Sequence, residues 1–353
     1  MHNFLVKHHL KEKEIAVAVS GGADSLALAL MAREELAVYG YKIVALTVNH
    51  GLRASAAKEA EYVAKVMASH NIEHHILTWK GQKPCAGIEE AARLARYDLL
   101  TGWCKEHNIK LLMVAHHLYD QAETFLMRLQ RGSGLEGLCA MREVSERQGV
   151  KILRPLLYTN PEELKIYLQK KNIEWIEDES NKDKSFLRNK IRAFLPIMEA
   201  EIGVTPQKIC EAVSNLQSAE EFIENRIAAV FERQVQKDFA TVYSFKYGDY
   251  LTWPREIKFR IISELCRRVY IPRAEAILNT IELLDKQPFN GLTLGGKEIF
   301  GAYGRIWIVP EMQAKHKASR KQWKEFTQTH QEYQKKKIPH KARIAILCGE
   351  NKS

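Results

Sequence analysis

The chain has 353 residues, with 53 lysines and arginines against 43 aspartates and glutamates, a formal net charge of +10. Its length, at roughly 100–200 residues per domain, predicts two or three domains, and a 46% hydrophobic fraction excludes wholesale disorder. Six scattered cysteines (Cys85, Cys104, Cys139, Cys210, Cys266, Cys348) hold no C-x-x-C pair, which argues against a disulfide scaffold or zinc ribbon and fits a cytoplasmic protein; the polar start MHNFLVKHHLKEKE and the lack of a long apolar run argue against a signal peptide and a membrane partner.

In chain order, Ile15–Val19 is a short apolar strand, followed by a glycine turn and an Ala/Leu-rich helix from Ser25 to Val38. Tyr41–Val48 predicts a second strand and Ala54–His70 a helix. His74–Trp79 alternates as a third strand, and Ile88–His107 returns to helical period. Leu111–Ala115 is a fourth buried strand, and Asp120–Arg131 a helix that stops at Gly132-Ser133-Gly134. Lys151–Arg154 predicts a fifth strand. This β-α-β-α order predicts an α/β fold, a parallel, doubly wound, Rossmann-like sheet covered on both faces. Ligands of such sheets sit beyond the carboxyl ends of the strands, which points to Ser20–Ser25, Asn49–Arg53 and His116–Glu123.

The texture then changes. Thr205–Lys237, Pro254–Tyr270 and Arg273–Leu284 read as helices, and Pro288–Pro310 as a hairpin-rich unit. The expected division is a catalytic domain over 1–200, a helical domain over 201–285 and a small α+β domain over 286–353. Eleven lysines and arginines against four acids give Glu311–Ser353 a charge of +7, leaving +3 for the rest. That segment reads either as a solvated tail or as a contact surface for phosphates, and Trp323, Phe326 and Tyr333 either pack in a small core or stack on bases.

The sharpest local signal is Ser20-Gly21-Gly22-Ala23-Asp24-Ser25, between a strand and a helix. Glycines let the backbone approach an anion, the helix start offers unpaired N–H groups, and two serines add hydroxyl donors. The competing reading is an N-cap turn. The strand–loop–helix context favours phosphate, and the absent G-x-x-x-x-G-K-[ST] spacing excludes a Walker A loop.

This hexapeptide resembles the SGGxDS loop of the PP-loop ATP pyrophosphatases, which cleave ATP between its α and β phosphates. Further segments follow in order: Asn49-His50-Gly51-Leu52-Arg53; His116-His117-Leu118-Tyr119-Asp120-Gln121-Ala122-Glu123 running on to Arg131-Gly132-Ser133-Gly134; Arg154-Pro155-Leu156-Leu157; and Glu177-Asp178-Glu179-Ser180-Asn181 with Arg188-Asn189-Lys190-Ile191-Arg192. Together they resemble the tRNA(Ile)-lysidine synthetases over residues 14–195, with a fainter likeness at Leu292-Thr293-Leu294-Gly295-Gly296.

The resemblance implies a ligase that adenylates carbon 2 of the wobble cytidine in the CAU anticodon of isoleucine tRNA. Free lysine then displaces AMP, forming lysidine and switching codon reading from AUG to AUA. It implies ATP and Mg²⁺, with tRNA and lysine as partners and no obligate protein partner. Carried over by position, Ser20, Gly21, Gly22, Asp24, Ser25, His50 and Arg53 bind ATP, with Asp24 near Mg²⁺. Asp24, Asp120, Glu123 and Arg188 are the catalytic set, and Asp120 and Glu123 also receive lysine. Arg131, Arg192, Lys335, Lys336 and Lys337 are expected to contact tRNA. The last group includes residues chosen for charge alone.

Each has a plainer alternative. Asp120 and Glu123 share one helix face and can also be first-turn acids complementing the dipole. His116 and His117 either hydrogen-bond substrate or hold a loop, while Arg93, Arg96 and Tyr97 read as a solvated helix face. One departure is that Tyr119 stands where the family usually carries the first of two aspartates, so Tyr119→Asp is expected to leave activity similar or raise it. Two other functions stay open at this point: a PP-loop tRNA thiolase, weakened by the absence of paired cysteines, and a non-catalytic RNA-binding descendant.

Overall fold

The computed structural model describes residues 1–51, 56–80, 88–177, 187–267, 271–286, 291–312 and 319–350. They form two compact units, Met1–Ser218 and Ala219–Ser353.

The first unit contains α1 (His2–Lys7), β1 (Glu14–Ala18), α2 (Ala23–Ala37), β2 (Lys42–Asn49), α3 (Ala56–Ser69), β3 (Glu73–Thr78), α4 (Ile88–Glu106), β4 (Leu111–Met113) and α5 (Leu118–Gln130). It continues with α6 (Leu135–Leu138), β5 (Val144–Arg147), β6 (Val150–Leu153), α7 (Pro161–Lys170), α8 (Leu187–Ile202) and the start of α9 (Pro206–Gln234). Its sheet runs β3-β2-β1-β4-β6-β5, parallel except for the β5–β6 pair. The expected doubly wound sheet is thus present. The antiparallel edge strand β5 is an addition, because VSER carries too little apolar pattern to announce itself.

The near-continuous apolar runs reflect burial on both sheet faces. Ile15, Val17, Ile43, Ala45, Leu111 and Met113 pack under α2 and α7. Their alternates Ala16, Val44, Leu46, Leu112 and Ile152 pack under Tyr97, Leu100 and Cys104 of α4. Strand order reverses between β1 and β4, so a crevice opens where their carboxyl ends diverge.

In the second unit the end of α9 is followed by β7 (Val235–Phe239), β8 (Val242–Lys246), α10 (Tyr247–Thr252), α11 (Arg255–Leu265), α12 (Ala274–Asp285), β9 (Leu292–Leu294), β10 (Lys297–Ala302), β11 (Arg305–Pro310), α13 (Arg320–Thr329) and α14 (His340–Glu350). The antiparallel sheet β7-β8-β11-β10-β9 takes β8 from the stretch left between helices and β7 partly from the expected helix Thr205–Lys237, which ends at Gln234 because Val235–Lys237 pair with β8 instead. Phe245, Ile299, Ile306 and Ile308 face α11 and α12. Val242, Phe300, Trp307 and Val309 face Phe326, Tyr333 and Ile346. Gly295 at φ +59° abuts the Cys266 carbonyl, where any side chain would collide, so the Gly295-Gly296 pair is required by the turn into β10.

The basic tail therefore carries two helices on the sheet. Trp323 stacks on Phe326, and Tyr333 is buried, so the rings build a small core. Lys336 lies 3.8 Å from buried Asp238, and Lys341 pairs with Glu298. Lys335, Lys336 and Lys337 remain exposed overall.

Candidate active site

The loop between β1 and α2 closes on itself. Ser25 Oγ accepts from the Ser20 amide at 3.1 Å, lies 3.2 Å from Ser20 Oγ and donates to the Gly22 carbonyl at 3.0 Å. Gly21 sits at φ +91°, and its carbonyl accepts from the Ile176 amide at 3.0 Å. Gly22 is the N-cap of α2 and brings no side-chain oxygen to the first turn. The first-turn amides of α2 therefore get no cap from that position, as an anion-binding helix start requires.

Beside the loop lies a cavity of about 460 Å³ lined by Ser20, Gly22, Asp24, Asn49, His116 and Arg188, among others. His50, Asp120 and Ser25 also face it. Its walls thus come from the ends of β1, β2 and β4 and from α5 and α8, which joins motifs more than 160 residues apart in sequence.

Start of α5 is organised by His117. Its Nδ1 accepts from the Asp120 amide at 3.4 Å, while Asp120 Oδ2 accepts from the His117 amide at 3.0 Å. Its Nε2 lies 3.6 Å from Asp24 Oδ2 and 3.5 Å from Asp120 Oδ2. One imidazole therefore sits between the loop acid and the helix acid. Burial raises the Asp24 carboxyl above the ordinary range, with His117 opposing and Asp120 adding to the rise. Burial also pushes Asp120 up, but His117 and Arg188 outweigh it and hold its carboxyl low.

Arg188 and Arg192 come one turn apart on α8. Arg188 donates from Nη2 to Asp120 Oδ1 and from Nε to Glu123 Oε2, both at 2.5 Å. Arg192 Nε donates to Glu123 Oε1 at 2.7 Å. Glu123 is fully buried, and both its oxygens meet arginines. The two first-turn acids thus differ: Asp120 faces the cavity and Glu123 holds α8 on α5. Tyr119, beside them, packs in an apolar cluster with Ala122, Leu195 and Ile209. An aspartate there would give up that packing, a cost the sequence did not reveal.

His116 and His117 part company as well. His116 lines the cavity with a buried Nδ1 that has no hydrogen-bond partner among the described residues. Burial pushes its imidazole down to about 3, with Arg154, Arg96 and Arg188 acting in the same direction. The unfolded chain takes up this proton near the ordinary histidine value, so acid favours unfolding below about pH 6.5, by ~1.4 kcal/mol per pH unit until the folded group itself titrates. His116→Gln should flatten the fall in urea-unfolding free energy between roughly pH 6.5 and 5. A slope equal to wild type would contradict a buried neutral ring.

Of the remaining expected residues, His50 lies at the mouth of β2, its ring edge-on to Trp79 at 5.9 Å. Arg131 is exposed at the C-cap of α5. Arg53, and the segment Asp178–Asn181, lie outside the described residues. Arg96 was missed: it lines the cavity beside buried Tyr97, and only the direction of α4 on the sheet reveals that. Among the described residues no group of three His, Cys, Asp or Glu side chains is set to hold a metal, and no helix is long and apolar enough to cross a membrane.

A glycine-bent loop at the switch point of a parallel sheet, with carboxylates and arginines around one cavity, defines a nucleotide-binding α/β protein of the PP-loop class. Residues 1–198 match the PP-loop domain. A U34-tRNA thiolase from Methanococcus maripaludis, bearing a 4Fe-4S cluster, shares the fold at TM-score 0.53 and 18% identity, over 61% of this chain and 76% of that one. Two curated relatives carry the name tRNA(Ile)-lysidine synthase. The protein of Wolbachia pipientis is 35% identical over 84% of this chain and 70% of its own length. That of Bradyrhizobium diazoefficiens is 32% identical over 87% and 92%. The chain belongs to the tRNA(Ile)-lysidine synthase family and is a PP-loop ligase of that kind.

Proposed function

We propose that this enzyme joins lysine to carbon 2 of the wobble cytidine of an isoleucine tRNA bearing a CAU anticodon, at the expense of ATP. The observation that carries the reading is the His117 bridge, which brings Asp24 of the phosphate loop and Asp120 of α5 to one cavity. Nucleotide activation and amine attack need such neighbours.

In the first step the cytosine O2 attacks the α-phosphorus of ATP; the bond to the β-phosphate oxygen breaks and pyrophosphate leaves. Ser20, Gly21, Gly22 and Ser25 cradle the phosphates and His50 flanks the nucleotide, while Arg53 is assigned to ATP from its sequence motif alone. In the second step the lysine ε-nitrogen attacks carbon 2 and AMP departs with the former O2, a good leaving group made from a poor one. Asp120, with one oxygen on Arg188, receives the lysine ammonium and orients it; the ammonium gives a proton to solvent before its nitrogen attacks as the free amine. Glu123 completes this acid pair chiefly by fixing Arg188 and Arg192. Arg188 offers positive charge where the adenylate develops negative charge.

The donors present suit Mg²⁺: Asp24 is a half-buried carboxylate at the cavity wall, and this ion commonly takes one or two carboxylates with substrate phosphates completing its shell. Bound there, it would neutralise phosphate charge. Asp24 would hold it, with Asp120 nearby.

The test is incubation of unmodified isoleucine tRNA with ATP and lysine, each omitted in turn, followed by mass analysis of the anticodon nucleoside. Lysidine that requires all three supports the reading. Absence of lysine-dependent AMP formation overturns it, and sulfur incorporation would indicate a thiolase.

For the tail, Lys335→Gln/Lys337→Gln should raise the KM for tRNA several-fold and flatten its salt dependence by about 0.7 per lost phosphate contact, leaving the KM for ATP unchanged. Charge substitution is the proper probe, because deleting Glu311–Ser353 would uncover Trp307 and Val309. Unaltered tRNA kinetics would mean that these lysines form only a solvated face.

A further inference from the structure

We propose that Arg93 and Arg147, gathered with Arg96 around the ring of Tyr97, form a docking surface for the RNA backbone next to the nucleotide being modified. This deepens the tRNA-modifying reading above and rests on it.

Tyr97 is buried against the sheet, at 6% exposure. Three guanidiniums surround its ring: Arg93 at 5.9 Å, Arg96 at 5.3 Å and Arg147 at 5.6 Å from the centroid. Arg96 lines the cavity, whereas Arg93 is exposed, so positive charge runs from the reaction chamber out to the surface. Two acids pair with the group: Glu90 lies 3.3 Å from Arg93, and Asp98 accepts from Arg147 at 2.8 Å. Arg154 lies deeper, donating from Nη1 to the Arg142 carbonyl and to Ser145 Oγ. Among the described residues, four arginines against two acids leave a local excess.

The chemistry favours a phosphate chain. An aromatic ring holds a guanidinium in place without neutralising it, and leaves its N–H edge available for bidentate contact with phosphate oxygens. A base must leave its stack to enter a cavity of this kind, and the flanking backbone then has to be held at the rim. Arg93 and Arg147 lie outside the residues that line the cavity and are joined to it through Arg96 on the shared Tyr97 ring.

The experiment uses the full chain carrying Arg93→Gln/Arg147→Gln, and a companion Arg93→Lys/Arg147→Lys. Binding of unmodified isoleucine tRNA is measured across a salt series, with thermal melting to confirm folding. The glutamine pair should weaken binding roughly ten-fold at low salt and reduce the slope of log K against log salt by about 1.4, two phosphates at 0.7 each. Pyrophosphate release at saturating tRNA should stay within about two-fold, and the lysine pair should recover the slope. Wild-type affinity and slope in the glutamine pair overturn the proposal. So does weaker binding with an unchanged slope, which would signify a folding defect. If wild type binds tRNA but makes no lysidine, the functional reading fails while the docking surface is still tested by the slope.

Discussion

Glu123→Ala is expected to lower folding stability by about 3 kcal/mol and to reduce lysidine formation at least a hundred-fold. The carboxylate is fully buried and serves two guanidiniums, Arg188 and Arg192, which are themselves partly open to water. Deleting one partner of a buried pair costs roughly 3–5 kcal/mol, and the solvent access of the arginines places this case at the lower end. The kinetic loss follows from geometry. Among the described residues Arg188 would keep Asp120 alone as an anchor, and misplacing a charge by about 1 Å costs about 10² in rate. Glu123→Gln, which keeps the shape and one acceptor, should fall between. Urea unfolding and steady-state lysidine assays read the two effects, and a stable, active alanine variant would show that α8 is held by other contacts.

Gly21→Ala is expected to depress ATP-dependent pyrophosphate release by about 10² while leaving tRNA affinity near wild type. At φ +91° a side chain is strained by roughly 1–2 kcal/mol, and the new methyl would stand 2.7 Å from Ile176 Cδ1 and 3.2 Å from Val63 Cγ2. Ile176 Cδ1 is the end of a flexible side chain and can move aside, so it is the strained backbone at Gly21 that shifts the loop and with it the amides at the start of α2. Gly22→Ala is the control for backbone strain. Its φ is −71° and its methyl would meet nothing nearer than 3.7 Å, so its melting temperature should stay close to wild type. Normal pyrophosphate release from the Gly21 variant would mean that the loop tolerates displacement or does not hold the phosphates.

What the sequence disclosed was local. The loop Ser20–Ser25 is readable because glycines, serines and a strand–helix junction fall within a few residues, and it lies beside the cavity. The near-continuous apolar runs of β1, β2 and β4 likewise announce a sheet buried on both faces. The features that stayed hidden depend on long-range contact. Arg188 and Glu123 are 65 positions apart, and nothing near either residue specifies the pairing. Arg96 looked like a solvated residue because helical period does not tell which side of α4 meets the sheet. Strand β7 begins inside the stretch read as a polar helix and is seen only through its pairing with β8, which in turn pairs with β11. The charge count of the tail masked two helices whose buried rings are spaced among lysines.

The capping of α5 also selects a tautomer. Because His117 Nδ1 accepts the Asp120 amide hydrogen, that nitrogen is bare and the ring hydrogen resides on Nε2. At 3.5 and 3.6 Å it is too far for a firm hydrogen bond to either carboxylate, so it acts as a shared positive edge between Asp120 and Asp24. The polarity of the reaction chamber is therefore decided when the helix nucleates, before any substrate arrives. A residue able to cap but unable to present a hydrogen on its far side would leave the fold intact and the two acids facing each other unshielded.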